Sequence, residues 1–458
     1  PPPPPTPAPT PAPTPAPTPS PTAAFKGTYE YLRLVNTGLR GGGLFHGAAR
    51  AGNKVVFAPS NSREIGIFDA ETSKMTSLEL RSEIAPLTNK FAGAAACGDV
   101  VVFAPADADF VGIYEVEKKT FSKVDVLSTI LGMSKFSGAA ALGLVDSVRK
   151  QVVFAPSNSN YLGVYDVGHR QLGLVDVSAH AVGNGKFAGA VAVDDKVYFV
   201  PHSANCIGIY DAVTVKFRSY SIAAFARDVH KFSGGAHVGG KIVFVPFKTL
   251  AVGVFDAAAC SRYNPETCAS DPFSLVPLPS GVERYAFQGG AAIGGDIIFA
   301  PYSARAAGMF SVATSKFTLL DLSDRLLWHT VPSAYFSGAA NVGGSVIFVP
   351  NSGPVGELDV SMAITMAVED KGRGWTAPSR LVGHLLGARA VGGLAALSAA
   401  LCVGTLALLA LTAKRFSAAT TPVPAARCLF SVDTAESRRP QVGASGWTPL
   451  RGEDGLQV

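Results

Sequence analysis

Residues 232–256 read FSGGAHVGGKIVFVPFKTLAVGVFD. The stretch opens with Phe-x-Gly and small residues, turns at Gly-Gly, and runs through β-branched residues to Phe-Val-Pro. A Gly-aliphatic-aromatic-Asp run then ends ten residues after the proline, at Asp256. Apolar runs of about 5 to 8 residues punctuated by Gly, Pro and Asp read as short antiparallel strands.

Six further copies surround this one. Phe-x-Gly begins at Phe45, Phe91, Phe136, Phe187, Phe232, Phe287 and Phe336, and the closing prolines are Pro59, Pro105, Pro156, Pro201, Pro246, Pro301 and Pro350, spaced 46, 51, 45, 45, 55 and 49 residues apart. The Asp run recurs at Asp69, Asp166 and Asp211, with Glu115, Ser311 and Asp359 in the other copies. Each copy ends in an alternating run such as KFTLLDLS, residues 316–323. Four strands per copy leave both faces of each small sheet apolar, so the copies must cover one another. Radial packing of four-stranded sheets is a β-propeller. The expected fold is all-β, a seven-bladed propeller over residues 25–370. GTYEYLRLVN at 27–36 looks like the last strand of a repeat displaced to the front, which would close the seventh blade; the run 362–368 competes for that edge.

The repeat resembles the kelch motif. GKIVFVP at 240–246 stands where a kelch repeat has its second strand, and VYDVGHRQLGLVDV at 164–177 and IYDAVTVKFRSYSI at 209–222 resemble its aromatic-Asp, Thr, aromatic ending. Ala-Pro or Val-Pro replaces the Gly-Gly doublet, and Phe, Met or Leu replaces Trp. The resemblance spans residues 27–370 and implies a binding or adaptor propeller. It also admits a copper oxidase acting on sugar alcohols, whose metal site needs tyrosines, histidines and a cysteine converging at the axis. The eight histidines are scattered, with no spacing that recommends a pair, and neither a nucleophile elbow nor a phosphate loop is visible. The expectation is therefore a non-catalytic protein with no cofactor and no metal.

The rest of the chain places this unit. Thirteen of the 32 prolines lie in PPPPPTPAPTPAPTPAPTPSPT at 1–22, so residues 1–24 read as an extended Pro/Thr stalk. Residues 371–389 form a linker, and residues 390–413 carry no charge over 24 positions. As a helix rising 1.5 Å per residue they span about 36 Å, enough for a bilayer core. A polar tail, 414–458, follows. Lys414 and Arg415 directly after the span, together with the stalk, favour a propeller that is extracellular or lumenal and a cytoplasmic tail. A cytoplasmic-facing adaptor on an internal membrane is the alternative. Net charge is only +5, with 39 basic against 34 acidic residues and no basic run interleaved with aromatics, which excludes a nucleic-acid partner. The expected partner is a protein or glycan.

Repeated residues point to scaffold, and function should lie where copies differ. The loops after each proline are polar and variable, and they nominate Arg63, Asp107, Asp109, Tyr161, His202, Lys248, Tyr302, Arg305 and Asn351 as ligand-binding. Lys90, Lys135, Lys186 and Lys231 each precede the Phe of Phe-x-Gly and are expected to ring one mouth of the central channel. Insertions at 142–150 and 257–270 project from the opposite face. Cys260 and Cys268 share the second insertion and are expected to pair as a disulfide.

Overall fold

The computed structural model describes residues 32–126, 129–143, 150–260, 271–326 and 334–360. The chain divides into two compact units, Pro1–Ala377 and Pro378–Val458, and every described residue belongs to the first. The expected membrane span at 390–413 lies outside the described residues, among which no helix is long and apolar enough to cross a membrane.

Seven four-stranded antiparallel sheets follow one another along the chain. Blade 1 consists of Phe45–Ala51, Lys54–Pro59, Glu64–Asp69 and Lys74–Glu79, and the later blades repeat this order, each second strand ending at its proline. Blade 7 is built from both ends of the unit. Leu32–Val35 pairs with Val355–Asp359 in the register Leu32 with Leu358 and Val35 with Val355, so the displaced N-terminal strand closes the ring. The competing run at 362–368 lies outside the described residues.

The core sits between blades. Ala49, Val56, Ala58 and Ile65 of blade 1 pack on Phe91, Val101, Phe103 and Tyr114 of blade 2, and the arrangement recurs from blade to blade, closing with Phe45, Phe57 and Phe68 against Ile347, Val349 and Val355. In every blade the Phe of Phe-x-Gly meets the Phe before Ala-Pro or Val-Pro, with ring centroids 5.2 to 5.9 Å apart. Such pairs add to the area burial of two large side chains. The third strand carries glycine where this pair lies against it: a Cβ at Gly66 would stand 2.8 Å from Phe57 and 2.9 Å from Phe45. The Asp that ends this strand caps the next turn. Asp69 accepts from the amides of Glu71 and Thr72, and Asp211 from those of Val213 and Thr214.

Each first strand breaks register just after its Phe, as between Phe45 and Ala48. This bulge places the glycine of Phe-x-Gly at the axis. Built on each of Gly47, Gly93, Gly138, Gly189, Gly234, Gly289 and Gly338 in turn, a Cβ would fall 2.5 to 3.2 Å from the next glycine's Cα, and the seventh meets the first. Six of the seven hold positive φ. These glycines are the narrowest part of the ring, and only a residue without a side chain fits there.

Candidate functional site

Two kinds of loop share one end of the propeller: those following each proline, and the links from one blade's last strand to the next blade's first. A circle of backbone hydrogen bonds joins them. The residue before each Phe donates to the residue after the previous blade's proline, whose counterpart in the same blade donates back. The circle runs Leu44, Ser60, Lys90, Ala106, Lys135, Ser157, Lys186, His202, Lys231 and Phe247, and after blade 6 Tyr302, Tyr335 and Asn351, returning to Leu44. These bonds are 2.7 to 3.1 Å long; at blade 6 the donor to Phe247 is Tyr285, one residue early. The end of the ring is therefore stiff at the level of the main chain.

This circle corrects the reading of the four lysines. Lys90, Lys135, Lys186 and Lys231 do not ring the channel mouth: they are 0 to 1% exposed. Each ammonium donates to the carbonyl three residues before it, namely Leu87 at 2.7 Å, Gly132 at 2.8 Å, Gly183 at 2.8 Å and Asp228 at 2.6 Å. Lys135, Lys186 and Lys231 also reach carbonyls of the preceding blade, Asp107, Asn158 and Ser203. The lysines thereby give the turn carbonyls of the links a charge-assisted donor. Burial lowers Lys186 and holds Lys90 and Lys231 at about 8. The four lysines fasten the links to the blades.

The loops after the prolines divide by position. Asn61, Asp107 and Asn158, two residues past the proline, accept from the backbone amides of Asn89, Ser134 and Gly185 in the next link, so Asp107 is a staple between blades. Asn351 likewise donates its side-chain amide to the Ala334 carbonyl. Four residues past the proline the carbonyl is fixed by the end of the blade's last strand and the side chain is exposed in blades 1 to 6: Arg63, Asp109, Asn160, Asn205, Leu250 and Arg305. Asp109 also lies 3.4 Å from Lys135. Tyr161 is exposed one position further, and Lys248 is half-buried. The column at proline plus four is the variable surface; Asn160, Asn205 and Leu250 belong to it and are absent from the sequence reading.

His202 and Tyr302 lie one residue past their prolines and, with Phe247 between them, form an aromatic arc over blades 4 to 6. Phe247 is 5.8 Å from His202, 5.6 Å from Tyr302 and 4.9 Å from Tyr285, and His230 stacks on His202 at 4.8 Å. The same column in blades 1 to 3 holds Ser60, Ala106 and Ser157. His230 and Tyr285 are held at φ of 59° and 63°, costly for bulky side chains. Sequence spacing does not reveal the histidine pair, because its members come from different loops.

Beside this arc lies an axial cavity of about 190 Å3, walled by the glycine ring and by the middle residues of Phe-x-Gly: His46, Ala92, Ser137, Ala188, Ser233, Gln288 and Ser337. Gln288 donates its amide to His46 Nε2 at 3.2 Å, bridging blades 6 and 1 over the small Ser337. Burial pushes His46 below the ordinary imidazole range. His202 Nδ1 donates at 2.8 Å to the carbonyl of Phe232, the residue before Ser233. Burial, opposed by that bond and reinforced by the charges of His230, Lys231 and His46, holds His202 at about 4. Among the described residues no group of three metal-ligating side chains converges.

The His202 shift gives a pH prediction. The native imidazole binds fewer protons than the unfolded one between about 6.5 and 4, so stability falls as pH drops through that window and this contribution levels off below it. The expected loss is about 3 kcal/mol. Urea unfolding across the window should show a clear slope for the native chain and a flatter one for His202→Gln. Equal slopes in the two proteins contradict the assignment.

The loop insertions of the opposite face are described only at their edges. Residues 144–149 and 261–270 lie outside the described residues, Cys268 among them. Cys260 is disulfide-bonded, while Cys97 and Cys206 are free and buried.

No family model and no curated protein matches the chain. Three similar solved structures match over the length of the propeller at low identity. A streptogramin B lyase structure is 16% identical with a TM-score of 0.52, covering 72% of this chain and 97% of that one. The RRP9 WD40 repeats are 10% identical with a TM-score of 0.51, covering 71% and 97%. YCF48 bound to D1 peptide is 8% identical with a TM-score of 0.53, covering 73% and 98%. These likenesses establish the seven-bladed propeller fold. They include WD40 repeats, so they do not single out a kelch-type repeat.

Proposed function

We propose that this chain is a non-catalytic binding propeller, kelch-like in repeat, anchored by the 390–413 span and presenting its loop-and-link end to a protein ligand outside the cell. One observation carries the reading. Of the ten large apolar side chains left exposed among the described residues, eight belong to that end: Leu87, Leu131, Met133, Tyr161, Val182, Phe225, Val229 and Leu250. Val213 and Val215 are at the other. Six of the eight sit on consecutive links, those entering blades 2 to 5, forming an apolar crescent on backbone that the buried lysines hold rigid. Exposed apolar side chains gathered at one end of a scaffold mark an interaction surface, and rigid presentation lowers the ordering cost of binding.

The test is site-specific photo-crosslinking of the full chain in its own membrane. A photoreactive residue at Met133, Val182 or Val229 should give discrete protein adducts, and one at Val213 or Val215 none. Equal labelling of both ends, or no adduct from the crescent, overturns the reading. A glycan ligand is the second reading, favoured by the aromatic arc of His202, Phe247 and Tyr302 beside a polar axial cavity. Capture of the full chain on an array of glycans tests it.

A further inference from the structure

The axial cavity has a chemistry of its own, distinct from that of the apolar crescent. Its wall carries no charged residue. Burial keeps His46 neutral at physiological pH, and because its Nε2 accepts from the Gln288 amide, the ring proton sits on Nδ1. Gln288 thus keeps its carbonyl oxygen as an acceptor, His46 keeps one N–H donor, and the hydroxyls of Ser137 and Ser233 act as either. The rest of the wall is Gly, Ala and Ser337, whose hydroxyl is already committed to the Phe45 carbonyl, so the polar groups open to a ligand are few. Unlike the glycines, the middle residues of Phe-x-Gly differ from blade to blade, as binding residues carried on a repeated scaffold do.

We propose that this cavity binds one uncharged, polyhydroxylated ring, the size of a single hexose unit, at the end of a glycan. Three observations converge. A cavity of about 190 Å3 suits a ligand the size of one sugar ring. Mixed donors and acceptors without charge match hydroxyl groups and penalise a carboxylate, whose desolvation the cavity would leave unpaired. His202, whose ring is tied at 2.8 Å to the carbonyl beside the wall residue Ser233, carries with Phe247 and Tyr302 an aromatic arc against which the apolar C–H face of a sugar would stack. The proposal rests on the glycan reading above and adds to it the place and the sugar chemistry.

The experiment titrates the full chain, in a detergent free of sugar headgroups, with free neutral hexoses and with hexuronates, following binding by saturation-transfer NMR and calorimetry. At least one neutral hexose should bind with a millimolar or tighter Kd, hexuronates at least tenfold more weakly, and Gln288→Leu, which keeps the volume and removes the amide, should weaken binding at least tenfold. Phe247→Leu, at the mouth and outside the cavity wall, gives a second variant should Gln288→Leu fold poorly, with an expected loss of about threefold or more. No hexose binding, equal binding of hexuronates, or unchanged affinity in both variants overturns the proposal. Array capture that survives in Gln288→Leu would remove the cavity as the site while leaving the glycan reading intact; an array on which the native chain captures nothing removes both.

Discussion

Gly138→Ala is expected to abolish the native propeller or to destabilise it by about 4 kcal/mol or more, beyond the usual range of single substitutions. The added Cβ would lie 2.5 Å from the Cα of Gly189 and within 2.9 Å of two more of its backbone atoms. Backbone cannot rotate aside as a side chain can, and because the glycines form a closed circle, displacing one blade outward strains all seven interfaces. The φ of 116° adds a conformational cost that any L-residue incurs. Gly98→Ala separates the two contributions. It also has positive φ, at 67°, but nothing lies within 4 Å of its Cβ position, so it should cost only about 1 kcal/mol. Chemical unfolding of both proteins decides the matter. Similar losses would mean that φ, and not the axial crowding, requires glycine there.

Removing residues 1–36 should lower stability by about 4 kcal/mol and the melting temperature by roughly 10 °C, whereas removing 1–24 should change neither. The larger deletion takes away Leu32–Val35, and with it the buried Leu32, 2% exposed, and the ladder to Val355–Asp359. One buried leucine and a few ladder hydrogen bonds account for a loss of that size. The freed edge of Val355–Asp359 is also an unpaired template for another chain, so the truncated protein should associate with rising concentration. Calorimetry and light scattering on the two deletions test this. A 1–36 deletion that melts within 2 °C of the full chain and stays monomeric would show that the N-terminal strand is not what closes the ring.

The repeat made most of the scaffold legible beforehand. Phe-x-Gly, Phe-Ala/Val-Pro and Gly-aliphatic-aromatic-Asp each recur because each solves one packing problem seven times: the paired phenylalanines between blades, the glycine beneath them, and the aspartate over its turn. The lysines show the limit of the same reasoning. Their position before an innermost strand suggests an exposed ring, yet each bends under its own link to reach a carbonyl three residues back. Sequence position gives the place of a Cα, while the direction of a long side chain is settled by which acceptors the folded links bring within its reach.

What the amino-acid order determined alone is the number of blades, the strands within each and the interblade core. These follow from local periodicity and from the need of each apolar sheet to be covered, and both are written into every copy. The tertiary structure alone decided which variable residues meet. His202 and His230, or His46 and Gln288 with 242 positions between them, are brought together only when the ring closes. It likewise separated Asp107 and Asn351, whose polar atoms hold loops in place, from Arg63, Asn160 and Arg305, whose side chains stay exposed. The physical reason is the same in each case: a repeat fixes what neighbours within a blade must do, and the partners of a residue at the axis or the mouth come from other blades.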